Sequence, residues 1–139
     1  MPNKRINKEL AKEDHSNLLA EEQVKKYTMI FPMLESMRDE MKVLSSKKQD
    51  GVLNSLKVKM LNRVIGTARE LLVSEPTLEY LEELDEDMLP QNSDVVLILC
   101  QYIEALSQLR SKNQVYVNYN WVWKTQENPK PTIDNAKDY

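Results

Sequence analysis

Between Glu79 and Asp87 the chain crowds its carboxylates, with Glu79, Glu82, Glu83, Asp85, Glu86 and Asp87 in one short stretch. Carboxylate oxygens are the ligands of hard divalent cations, and Mg²⁺ takes one or two of them together with phosphate oxygens. On a helix, Glu79 shares a face with Glu82 or with Glu83. The candidate metal ligands are therefore Glu79, Glu82, Glu83 and Glu86. A calcium loop does not fit, because no glycine follows Asp85 and Asp87 at the position where such a loop turns.

The Glu79-x-x-Glu82 spacing resembles the Glu-x-x-Glu motif of all-helical nucleotide pyrophosphohydrolases. The resemblance is confined to the cluster itself. It implies a metal-dependent nucleotide hydrolase in which residues 79–87 hold the ion and a later helix adds further acids. Here the later helix supplies only Asp94 and Glu104, and no Lys or Arg lies nearby in sequence to hold a triphosphate. A solvated helix end running into an acidic loop explains the same residues without any chemistry.

Other reactive side chains are sparse. His15 is the single histidine and falls in a polar N-terminal arm, which argues against a His-based zinc site or a buried general base. Cys100 lies mid-helix in LILCQY without a basic neighbour, the setting of a buried, inert thiol. Gly51 and Gly66 are the only glycines and cannot form a phosphate loop. Met29, Met33, Met37 and Met41 step by four residues along a ridge instead of converging, which suits packing or an adaptable partner surface better than Cu(I). No catalytic residue and no cofactor is assigned.

The segment VYVNYNWVWK, Val115 to Lys124, has a different character. Alternation separates Val115, Val117, Tyr119, Trp121 and Trp123 from Tyr116, Asn118, Asn120 and Val122, the period of a half-buried strand, and its aromatics are Tyr116, Tyr119, Trp121 and Trp123. They are the candidate interaction residues. Such a strand pairs with the weak β-candidate Lys25–Phe31, pairs with its counterpart in a second subunit about a two-fold axis, or covers the core of its own chain.

Helices must position all of this. The pattern predicts one from about Ser16 to Ser46 with a kink or break at Pro32, and a seam of Leu34, Met37, Met41 and Leu44. Gly51 reads as a left-handed residue closing that helix. A second helix is expected over about Leu53–Val73 with Leu53, Leu56, Met60, Val64 and Leu71 inward. A third runs from the SEPT cap to about Leu84, and a fourth from Asp94 to about Ser111. The expected fold is mainly α: an antiparallel helical bundle, an αα-hairpin plus two further helices, ending in an aromatic β-segment. One domain spans residues 15–124, between a flexible polar arm at 1–14 and a loose tail at 125–139.

With 41% hydrophobic and 29% charged residues, the 139-residue chain has the composition of a globular domain. Its charge is unevenly distributed. Residues 1–69 hold 14 basic and 9 acidic side chains, residues 70–109 hold 10 acidic and none basic, and residues 110–139 hold 5 and 3, for the net −3. An acidic helix lying across a basic one explains this, and so does an acidic face turned toward a basic partner. The longest apolar run, Val95–Cys100, is far short of a membrane span, and no apolar run follows the basic N-terminal residues as in a secretory signal. With a single cysteine, a cytoplasmic location is expected. These features point to a small non-enzymatic interaction or regulatory protein, self-associating as a homodimer or binding a protein partner. The alternatives are the metal-dependent nucleotide hydrolase and a nucleic-acid-binding accessory protein using Lys47, Lys48, Lys57, Lys59 and Arg63. A pI near 5.3 and an aromatic run holding only Lys124 argue against nucleic acid. No membrane partner and no small-molecule ligand is inferred.

Overall fold

A computed structural model describes residues 17–139, so the arm at 1–14 and His15 lie outside the described residues. The chain forms α1 (Glu21–Lys47), α2 (Ser55–Leu71), a short 3-10 helix (Pro76–Tyr80), α3 (Asn92–Lys112), β1 (Gln114–Val117) and β2 (Asn120–Trp123). It is mainly α with an antiparallel two-stranded sheet at its C-terminal end, the expected class. No helix among the described residues is long and apolar enough to cross a membrane.

Lys25–Phe31 is helical, and α1 runs through Pro32 without a break. Proline deprives Thr28 of its helical hydrogen bond, but Thr28 and Pro32 both sit on the exposed face, where water can satisfy the freed carbonyl. Ile30, Phe31 and Leu34 are buried on either side and pin both halves of the helix to one core. The predicted seam is present, with Leu34 and Met41 buried and Met37 and Leu44 packed against the core.

In α2, Asn54 caps the first turn by accepting from the Lys57 amide at 2.9 Å. The buried stripe is Val58, Leu61, Val64, Ile65, Ala68 and Leu71, at helical spacings, with Val64 and Leu71 inward as expected. Leu56 and Met60, expected inward, face solvent because the stripe is rotated away from them. Gly51 is not left-handed. It is needed for close approach, since a Cβ there would meet the Asn92 amide nitrogen at 2.9 Å. Asn92 and Ser93 donate backbone N–H bonds to the Gly51 and Gln49 carbonyls, anchoring the start of α3 on the turn after α1.

α3 packs along α1 in the antiparallel sense and fills the centre with Val95, Leu99, Tyr102, Leu106 and Leu109. At its middle the Tyr27 hydroxyl donates to the Leu106 carbonyl at 2.7 Å. Burial raises the Tyr27 phenol from 10.0 to about 12. The neutral form is therefore favoured by folding, so this contribution to stability is complete below pH 10 and is lost as pH rises toward about 12. Tyr27→Phe is expected to flatten the fall in melting temperature over that alkaline window, at a cost of about 1 kcal/mol at neutral pH.

The third predicted helix is the main departure. Pro76 does open a helical turn, but it is a 3-10 helix ending at Tyr80, and residues 81–91 are non-helical, with a bend at 86–88. Other parts of the fold take the backbone groups a helix would have used. Arg69 donates to the Leu81 carbonyl at 2.9 Å, the Tyr102 hydroxyl to Glu82 at 2.8 Å, and Asn62 exchanges two bonds with Leu84. Tertiary capture wins over local propensity here. At its far end this strap is fixed by a Val52–Gln91 bridge and by the Leu53 amide on the Pro90 carbonyl.

The tail at 125–139, expected to be loose, is tied to the start of α1. Thr125 is fully buried, and the Gln126 amide and side chain donate to the Leu19 and Leu18 carbonyls. Lys137 and the Tyr139 hydroxyl converge on Glu21 and hold its carboxyl below the ordinary range.

Candidate functional site

The segment expected to be a single strand is a hairpin that pairs with itself. β1 and β2 run antiparallel in the register Gln114–Trp123, Val115–Val122, Tyr116–Trp121 and Val117–Asn120. Between them Asn118 and Tyr119 take φ of 47° and 65°, both left-handed, the requirement of a two-residue type I′ turn. Asparagine tolerates that region, but tyrosine does so at a cost of about 1 kcal/mol. Neither Lys25–Phe31 nor a second chain is needed to satisfy these strands.

The turn also reverses the alternation. Cross-strand partners share a face, so Tyr116 joins Trp121 and Trp123 on one side, where unbroken alternation had separated them. Their environments then diverge. Trp123, at the base, is buried and meets the Tyr27 ring edge-on at 4.9 Å, while Tyr27 stacks on Phe31 at 5.4 Å. Arg110 lies over Phe31 at 5.1 Å and ends this aromatic row. An isolated two-stranded hairpin is marginal in water, and burial of Val122 and Trp123 is what holds this one to the bundle. Trp123, expected at an interface, is thus an internal anchor.

Further out, Tyr116 and Trp121 pack on each other at 5.3 Å yet remain 59% and 65% exposed, and Tyr119 at the tip is 86% exposed. Trp121 also walls a surface hollow of about 390 Å³ with Arg110, Ser111 and Gln114. The hairpin therefore projects a mostly aromatic surface from a supported base.

The carboxylates behave differently. Glu79 belongs to the 3-10 turn, while Glu82, Glu83 and Glu86 lie on the non-helical strap, so the shared helix face that suggested a metal site does not form. No group of three or more His, Cys, Asp or Glu side chains among the described residues could hold a metal ion. Glu83 instead pairs with Arg69 at 2.8 Å, and Arg69 is held further protonated by its bond to the Tyr102 hydroxyl. Asp85 accepts from the Asp87 and Met88 amides, which hold its carboxyl below the usual range.

Lys112 pairs with Glu75, and Lys26 approaches Glu70 at 4.0 Å. Part of the acidic window is thus answered by cations inside the chain. Lys47 and Lys48 lie roughly 30 Å along α1 from Tyr27, so they and the hairpin aromatics do not share one groove.

Comparison with protein-family models, curated proteins and solved structures finds no match. The surface of the chain itself carries the functional reading.

Replacing Tyr119 by glycine separates display from stability. Glycine removes the left-handed strain, so thermal stability is expected to hold or rise by up to about 1 kcal/mol. If Tyr119 is a contact residue, association weakens in the same variant. A fall in melting temperature with unchanged association would show that Tyr119 serves the fold alone.

Proposed function

We propose that the protein is a small non-enzymatic interaction module that self-associates through the hairpin face of Tyr116, Tyr119 and Trp121. The observation that carries this reading is the exposure of these aromatics on a hairpin whose base is locked into the core. Aromatics at the centre of a contact supply much of its free energy, and a rigid base reduces the ordering cost of binding.

A second copy is the occupant favoured by charge. From Gln114 to Trp123 the hairpin has no charged side chain, in a chain that is 29% charged. Two such hairpins bring no charged side chain of their own to a two-fold contact, each residue serving in both halves of it. The free thiol of Cys100 fits a cytoplasmic location. Light scattering over a concentration series tests the proposal, with the double variant Tyr116→Ser/Trp121→Ser as control. A mass that rises toward two chains for the parent and stays at one chain for the variant supports it. A parent that remains at one chain mass throughout overturns it.

A further inference from the structure

We propose that the groove between the strap at 81–91 and the first half of α3 receives a basic amphipathic helix from a partner protein. The groove measures about 490 Å³. Its floor and lips include Tyr80, Met88, Leu97 and Ile98, and Met88 and Leu97 are 77% and 60% exposed. Leu97 follows the fully buried Val95 on a helix that is apolar nearly all round at its start, so the exposed face of that turn is unusually apolar. Large apolar side chains gathered in a groove mark a contact surface better than ones scattered singly.

Charge selects the occupant. Glu82, Glu83, Asp85 and Asp94 ring these apolar residues, and no Lys or Arg lines the groove. Arg69 pairs with Glu83 and also attracts Glu82, which leaves Asp85 and Asp94 without a basic partner at the groove among the described residues. An acidic partner would be repelled, and an uncharged one would leave the carboxylates unanswered. A helix with apolar anchors at spacings of three and four, flanked by Lys or Arg, satisfies both features.

The walls are also preformed. Asn62, Arg69 and Tyr102 fix the strap at one end, and the Val52–Gln91 bridge fixes it at the other. Little ordering is left for the partner to drive. Leu97 and Lys112 lie roughly 22 Å apart along α3, so this surface is separate from the hairpin and does not rest on its self-association.

The test is calorimetric titration with a synthetic amphipathic helix of leucine and lysine, against a leucine–glutamate helix of equal length. The Leu/Lys helix is expected to bind, more weakly as salt is added, and the Leu/Glu helix not to bind. Met88→Ser/Leu97→Ser and Glu82→Gln/Asp94→Asn change exposed side chains only, and circular dichroism checks that both variants fold. Each is expected to weaken binding by about tenfold. Trp121→Ser should bind like the parent. Equal binding by the groove variants, equal binding of the Leu/Glu helix, or loss of binding in Trp121→Ser would each overturn the proposal.

Discussion

Replacing Trp121 by serine is expected to weaken self-association by roughly a thousandfold while leaving the melting temperature of the monomer almost unchanged. A central aromatic contributes on the order of 2 kcal/mol to an interface, about thirtyfold in Kd. In a two-fold contact the residue appears twice, so the loss is on the order of 4 kcal/mol. The fold has little stake in this side chain, because Trp121 is 65% exposed and its ring neighbour is Tyr116, itself largely exposed. Serine also keeps the β1–β2 backbone ladder. Equilibrium sedimentation gives the association constant and calorimetric melting gives the stability. Trp121→Ser with unchanged association would remove the hairpin face as the contact.

Trp123→Ala, two positions away, is expected to do the opposite. Trp123 is buried against the Tyr27 ring at the base of the hairpin. Truncating a buried tryptophan costs about 3–5 kcal/mol, which for a domain of this size lowers the melting temperature by roughly 10–20 °C. Tyr27 loses its edge-on partner, and the hairpin loses the anchor that lets a two-stranded sheet persist. Amide exchange in residues 114–123 is therefore expected to accelerate more than exchange in α2. Trp123→Phe, which keeps a ring against Tyr27, should recover most of the loss. A Trp123→Ala protein as stable as the parent would show that the ring does not hold the hairpin.

These paired tryptophans show how far the sequence could be read. Helical periodicity located the core seam of α1, because burial repeats every three or four residues through Leu34, Met37, Met41 and Leu44. It could not show which turn of α2 faces inward, since Leu56 and Val58 are both apolar. Pro76 is a sound helix opener, so the pattern predicts helix as far as about Leu84, through Glu79, Glu82 and Glu83. The competing hydrogen bonds come from Asn62, Arg69 and Tyr102, which are distant in sequence.

The hairpin was missed for a local reason. Its turn is Asn118-Tyr119, where the recognisable signal is asparagine followed by glycine. Without that glycine, alternation continues unbroken through the turn and puts Tyr116 on the wrong face. The aromatic contact candidates were legible by residue type. Their division into the exposed Tyr116, Tyr119 and Trp121 and the buried Trp123 needed the fold.

Sedimentation velocity of the parent chain beside Tyr116→Ser/Trp121→Ser, over a wide concentration series, tests the central claim most directly. The parent is expected to shift from one species to another of twice the chain mass, and the variant to remain a single folded species of one chain mass. A parent that never leaves the monomer, or a variant that dimerises as readily, would contradict it.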